Sequence, residues 1–332
     1  MPCEYETFFT NEDIFIAVLN LMMSISIITI NSFILLVVFF NWKQIRIQCN
    51  NRASVILTIN LSVADLVMGL LDIYFSLPLY LPELARYLGQ HKLACIMRYA
   101  FIMLANIASG YTLVAIAVER YIYVVHALKY SELMNTRRTL LMISVVWTAA
   151  FLESSPLYFW NHWEENMCAC DDTNLIPEEF TISFSITRIF VILIVVAAFH
   201  WRIHREALKI QSRKDSMSAR SSLRTRSARV VLIICVVYIL SWMPFSIMYF
   251  CKMSGIYIVP LIYKFCNCVI DISYVVNPFV YAYNNRAIGN AIVKTLKVLR
   301  PRSNYSFSDH RVSSNRVAMN HIHRRGTVFT IS

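Results

Sequence analysis

The chain has 332 residues, 57% of them apolar and only 15% charged, with a formal net charge of +11 and a mean hydropathy of +0.52. Soluble domains average roughly 45–50% apolar and about 25% charged residues, so a water-soluble enzyme of this length is excluded. Six glycines and nine prolines leave no collagen-like or low-complexity class, and neither G-x-G-x-x-G nor G-x-x-x-x-G-K occurs, so no glycine-rich phosphate loop is present.

A membrane helix needs about 20 mostly apolar residues. Seven such stretches follow one another. Residues 14–42 carry no charge; 53–81 carry Asp65 and Asp72; 99–118 carry none; 139–160 carry Glu153; 180–201 carry Arg188; 230–251 carry none; 256–283 carry Lys264 and Asp271. The expected fold is an all-α membrane protein, a seven-transmembrane-helix bundle. Residues 284–299 alternate apolar and basic positions at helical period, which predicts a short amphipathic helix on the inner leaflet. No cysteine follows it to carry a palmitate. Residues 1–13 are then an extracellular amino terminus, 14–299 the membrane domain with its amphipathic eighth helix, and 300–332 a disordered cytoplasmic tail.

The positive charge does not point to nucleic acid. The connections 41–52, 119–139 and 200–229 and the tail from 284 hold 25 of the 31 Lys and Arg, while 1–13 and 160–180 hold none and carry four and six acids. The positive-inside rule places the amino terminus outside and the tail in the cytoplasm of a multi-pass plasma-membrane protein. The first 13 residues are acidic rather than basic, so no cleavable signal is expected there and the first span is expected to act as its own. Cys95 opens the third span on the oxidising outer side, and Cys168 and Cys170 lie in the acidic outer loop. A disulfide from Cys95 to Cys170, or to Cys168, is expected. Cys251, Cys266 and Cys3 offer a second outer bridge or ordinary apolar packing.

Local strings make the reading specific. Asn60-Leu-Ser-Val-Ala-Asp65-Leu lies in the second span, Ala117-Val-Glu119-Arg120-Tyr121 ends the third, and Trp147 lies in the fourth. Ser241-Trp242-Met-Pro244-Phe245 lies in the sixth and Asn277-Pro278-Phe-Val-Tyr281 in the seventh. Together they resemble the signatures of the rhodopsin-like (class A) G-protein-coupled receptors, in that family's order and over the chain from Asn31 to about Lys297. The inner loop His126-Ala-Leu-Lys-Tyr to Thr136-Arg-Arg resembles melanocortin and adenosine receptors. The absence of a proline near Ile192 in the fifth span resembles melanocortin, cannabinoid and lysophospholipid receptors.

The resemblance implies roles. An intramembrane acid is expensive and marks an ion or relay site; in this family Asp65, with Asn31, Ser109, Ser273 and Asn277, would hold an allosteric sodium ion, and no other cofactor is expected. Glu119 and Arg120, followed by Tyr121, would form a latch released when a heterotrimeric G protein docks. Arg224 stands where a second acid is usual, so that second latch is missing and raised basal signalling is expected. Pro244 and Pro278 interrupt helical hydrogen bonding and supply kinks, with Trp242, Asn277 and Tyr281 as the moving parts. His200 replaces the tyrosine that usually meets Tyr281.

The pocket departs from two familiar types. Ile102 replaces the acid of aminergic receptors, and Asp271 replaces the retinal-bearing lysine of opsins. Asp72 and Asp271 are expected to lie together where the second and seventh spans meet, and two acids there favour a cation. Glu153 and Arg188 are expected to face one another, as ligand contacts or as an internal ion pair. Arg98 stands where lysophospholipid receptors bind a headgroup. Met103, Asn106, Phe245 and Tyr249 complete the candidate lining.

The sequence therefore reads as a receptor that binds an extracellular ligand, a cationic small molecule or peptide before a lipid or nucleoside, and activates a heterotrimeric G protein. Arrestin and a receptor kinase are candidate partners of the serine-rich tail, and the bilayer is the solvent. A transporter or channel is the rival class, disfavoured because no internal repeat is visible and seven spans do not divide into equal halves.

Overall fold

The structure is a computed structural model, and it describes residues 11–48, 52–164, 170, 175–180, 187–212, 233, 236–248, 250–252 and 254–299. Two compact units divide the chain, Met1–Thr295 and Leu296–Ser332; of the second, only the short helical stretch 296–299 is described.

Every regular element among the described residues is helical. The long helices are α1 (Asn11–Phe40), α3 (Arg52–Tyr80), α5 (Lys92–Val125), α7 (Thr136–Ser154), α9 (Thr187–Ser212) and α11 (Pro260–Asn284). The sixth span forms a helical run, α10 (Val236–Lys252). Shorter helices lie in the connections: α2 (Trp42–Gln48), α4 (Pro82–Gln90), α6 (Tyr130–Leu133) and α8 (Glu178–Phe180). The last is α12 (Arg286–Leu299). Four helices among the described residues are long and apolar enough to cross a bilayer: Ile14–Phe40, Arg52–Pro78, Lys92–Val125 and Thr136–Tyr158. At 1.5 Å per residue α5 runs about 51 Å, well beyond a hydrocarbon core of about 30 Å.

Helices are the only open-ended way to satisfy backbone polar groups in lipid, and their side chains are sorted for lipid. On α7 only Thr139, Val146, Ala150 and Ser154 are buried, a narrow stripe at helical spacing. Leu140, Leu141, Val145, Phe151 and Leu152 are exposed. Such a face would be a severe liability in water. Asn135 caps α7 by accepting a hydrogen bond from the backbone N–H of Arg138 at 3.0 Å.

α5 is the axis of the bundle and packs against α3, α7 and α9, while α1 packs against α3 and α11. The main core gathers Ile27, Leu57, Leu61, Leu113, Ile116, Ile192 and Trp242. α1 and α3 approach closely at Gly69, where a Cβ would lie 2.9 Å from Ile28 Cγ1 and 3.0 Å from Ile27 Cγ2. A second cluster seats the start of α12, through Ala287, Ile288 and Ala291, on Ile34, Val37, Val38, Ile45 and Val55.

The connection expected over 41–52 is itself partly helical, because Val37 and Asn41 carbonyls continue to accept backbone bonds from Asn41 and Ile45. α4 lies in a connection, outside the seven apolar runs. Its signals are Pro82 at the first position and Glu83 in the first turn, both favourable at a helix start.

Candidate functional site

Polar side chains concentrate at the two ends of the bundle and along one seam through its middle. At the first end the disulfide joins Cys95 to Cys170 across 75 residues, which selects Cys170 from the pair left open by the sequence. Arg98, one turn along α5, donates from Nη1 to the carbonyl of Cys170 at 3.4 Å and from Nη2 to the carbonyl of Phe75. Its guanidinium lies 3.9 Å from the Phe75 ring centroid. The Tyr99 hydroxyl donates to the same Cys170 carbonyl at 3.2 Å. Arg98, expected as a headgroup contact, is thus engaged in seating the loop. Cys251 and Cys266 are both free thiols, so the second bridge does not join them; Cys266 is buried, where a thiol packs as a small hydrophobe, and Cys3 lies outside the described residues.

Deeper in the bundle, Asp72 on α3 and Asp271 on α11 lie within electrostatic reach of one another. Asp72 Oδ2 is shielded from solvent and has no hydrogen-bond partner. Cys268, one turn before Asp271, donates to Asn20 Oδ1 at 2.6 Å, which ties α11 to α1. Glu153 accepts from the Tyr111 hydroxyl at 2.5 Å; this α5–α7 contact was not foreseen from sequence. Ile102 packs on the main core and Met103 joins two smaller clusters, so both are at least partly structural. Asn106 is half-buried on α5. Trp242 is buried, stacks on Tyr238 at 5.8 Å between centroids and meets the edge of Phe245 at 6.3 Å, with Phe245 in turn 6.2 Å from Tyr263. Tyr249, Arg224 and Cys168, and the side chains of Arg188, His200 and Tyr281, lie outside the described residues.

Asp65 occupies the middle of the seam and is fully buried. Its Oδ1 accepts from Ser109 at 2.6 Å and its Oδ2 from Asn277 at 3.0 Å. Asn31 donates to the backbone carbonyls of Ile27 at 3.0 Å and Tyr274 at 3.3 Å, while its Oδ1 is buried without a partner. The Ser273 hydroxyl donates to the Ile270 carbonyl at 2.8 Å, as the Ser109 hydroxyl donates to Asp65, and each hydroxyl oxygen keeps lone pairs that a cation could take. The oxygens of Asp65, Ser109 and Asn31 are the donor type a hard cation takes, and the orphaned Asn31 Oδ1 is an acceptor such an ion would satisfy. The residues therefore fit a sodium ion.

Beside this seam Asn60 links three helices. It donates to Thr112 Oγ1 at 2.8 Å and accepts from Trp147 Nε1 at 2.9 Å. Trp147→Phe removes the donor and leaves a buried carbonyl oxygen unpaired. The expected loss is about 1–3 kcal/mol, measured as a lowered thermal midpoint of purified protein; an unchanged midpoint would mean that this bond does not support the fold.

At the other end Arg120 Nε lies 2.8 Å from Glu119 Oε2, with Glu119 fully buried and Arg120 nearly so. Arg120 also donates from Nη2 to Ser54 Oγ and lies 5.9 Å from the Tyr123 ring centroid. Glu119 Oε1 accepts from the hydroxyl of Tyr130 on α6 at 2.8 Å. Burial, and next to it the charge of Glu119, push the Tyr130 phenol well above the ordinary tyrosine range, so it remains a donor. Tyr121 packs at 5.2 Å on Phe199 of α9. Glu119 and Arg120 stand out in the sequence and Tyr130 does not; an aromatic eleven residues on, in a short loop, carries no local signal of that contact.

Comparison with known proteins adds a family profile and several relatives. The profile described as "7 transmembrane receptor (rhodopsin family)" matches residues 30–281. Galanin receptor type 1 of Homo sapiens is 25% identical over 269 residues, 78% of this chain and 76% of that protein. Adenosine receptor A2a of Equus caballus is 25% identical over 265 residues, 72% of this chain and 63% of that protein. CX3C chemokine receptor 1 of Rattus norvegicus is 23% identical over 258 residues, 70% and 67% of the two chains. These names concern three different ligands at nearly equal likeness.

Proposed function

We propose a working mode for a chain that belongs to the rhodopsin family of seven-transmembrane receptors. It is a multi-pass plasma-membrane protein, a G-protein-coupled receptor and not an enzyme, whose partners are an extracellular ligand and a heterotrimeric G protein. In our reading the amino terminus and the Cys95–Cys170 end face outward, and the Arg120 end and the tail face the cytoplasm. The distribution of Lys and Arg along the sequence supports this. Residues 14–299 then form the membrane domain with its amphipathic eighth helix, and 300–332 the tail on which a receptor kinase and arrestin would act.

The ligand in this reading carries a positive charge, as a small molecule or a peptide. The carrying observation is Asp72, whose Oδ2 has no partner, set near a second acid, Asp271. Buried carboxylates are costly unless paired, and a cationic group would pair both. Ile102, Met103, Asn106, Glu153, Arg188, Trp242, Phe245 and Tyr249 would complete the surroundings.

Binding shifts a two-state bundle. Around Trp242 the Pro244 break lets the Arg120 half of α10 move, Asn277, Pro278 and Tyr281 follow in α11, and Arg120 leaves Glu119 for the G protein. Asp65, Ser109 and Asn31, with Ser273 and Asn277, would hold a sodium ion, whose positive charge would favour the resting bundle.

The test is a panel of cationic and neutral ligands with a G-protein readout. Cationic agonists are expected to lose at least about tenfold in potency on Asp72→Asn and on Asp271→Asn, an effect of about 1.4 kcal/mol. Unchanged potency on both, with loss on Arg98→Ala, would replace this reading by a lipid ligand.

A further inference from the structure

The seam between α1, α3 and α11 holds more unsatisfied polarity than one ligand contact explains. Asp65 and Asp72 are seven residues apart on α3, two helical turns, and so share a face. Asp271, Tyr274 and Asn277 are spaced by three on α11 and share a face as well. Helical side chains lean toward the amino terminus, so Tyr274 leans back over the turn that carries Asp271. Its side chain is only 2% exposed, yet its hydroxyl has no hydrogen-bond partner. The phenol is within electrostatic reach of Asp271, Asp65 and Asp72.

Nearby donors are engaged elsewhere. Ser76 donates to the backbone carbonyl of Asp72, not to its carboxylate. Cys268 donates to Asn20 and to the Lys264 carbonyl, Ser273 to Ile270, and Asn31 to Ile27 and Tyr274. Asp65 differs: both its oxygens are served, by Ser109 and Asn277. One acid of the seam is thus satisfied by the protein, while Asp72 Oδ2 and the Tyr274 hydroxyl are left without a partner beside it, with Asp271 in electrostatic reach of both.

We propose that Asp72, Asp271 and Tyr274 form a second cation station in the core, in line with Asp65, that takes one monovalent charge, an alkali ion or an ammonium head. The proposal deepens the cationic-ligand reading and rests on its acid pair. Oxygen donors suit hard cations. Among the described residues no three His, Cys, Asp or Glu side chains converge on a point, which disfavours a transition metal.

The experiment uses purified full-length receptor without agonist. Its thermal midpoint is followed while sodium chloride, or methylammonium chloride, replaces N-methylglucamine chloride at constant ionic strength. Asp65→Asn removes the first station. In that background at least one of the two cations is expected to raise the midpoint by roughly 2–4 °C at saturation. Adding Tyr274→Phe should diminish the rise, and adding Asp72→Asn with Asp271→Asn should abolish it. A response to sodium assigns an alkali ion, and one to methylammonium an ammonium head.

Insensitivity of the Asp65→Asn protein to both cations would overturn the proposal. So would a response that survives loss of both outer acids, or one untouched by Tyr274→Phe. If Asp65→Asn does not fold, wild-type protein and the Asp72→Asn, Asp271→Asn double variant are compared. The double variant must then show the weaker total response, and equal responses would refute the second station. Agonist potency is not read, so the ligand reading stands or falls separately.

Discussion

Glu119→Gln is expected to raise ligand-free nucleotide exchange on a G protein about tenfold or more, and Arg120→Ala to lower agonist-driven exchange by at least about tenfold. The two signs follow from one geometry. Arg120 is buried, and its charge is matched by Glu119 at 2.8 Å. Removing one member of a buried pair typically costs about 3–5 kcal/mol. If about 1.4 kcal/mol of that falls on the resting state alone, the active population rises tenfold. Tyr130→Phe should move in the same direction by less, because it removes one neutral-donor bond to Glu119 and leaves the ion pair in place. Exchange measured with purified receptor and G protein decides the matter. Equal basal rates in wild type and Glu119→Gln would remove the latch from the account.

Cys95→Ser and Cys170→Ser are each expected to destabilise the receptor by about 4 kcal/mol and to abolish most of its surface expression. The bridge closes 75 residues, and the constraint on the unfolded chain grows with the logarithm of that length. Native contacts add to it: the Cys170 carbonyl accepts from Arg98 and Tyr99, and Leu157, Leu175 and Phe180 pack on Cys95 and Tyr99. Surface labelling and thermal unfolding measure both effects. A Cys170→Ser protein with wild-type midpoint and expression would show that Arg98 and Tyr99 suffice to seat the loop.

The fold was legible because lipid imposes a coarse grammar: uncharged runs long enough to span, with basic connections on one side. The motif residues were legible for the same reason, since Asp65, Arg120 and Pro244 are conspicuous in apolar surroundings. What escaped was contact between elements. Tyr130 reaches Glu119 only because α6 folds back under α5. Tyr111 reaches Glu153 only because α5 and α7 pack side by side. Tyr274 reads as an ordinary apolar aromatic until its hydroxyl is found without a partner. The bond from Ser273 to its own helix backbone is one that short hydroxyl side chains always have within reach, and no sequence pattern announces it. The choice of Cys170 over Cys168 likewise needed the loop seated on Arg98.

The most direct test of the central claim is the face at which the signal emerges. Receptor is reconstituted into vesicles sorted by orientation through a terminal tag, and G protein with a GTP analogue is added outside. Nucleotide exchange is predicted only on vesicles that present the Glu119–Arg120–Tyr130 face outward. Exchange on vesicles presenting the Cys95–Cys170 face, or equal exchange on both, would contradict it.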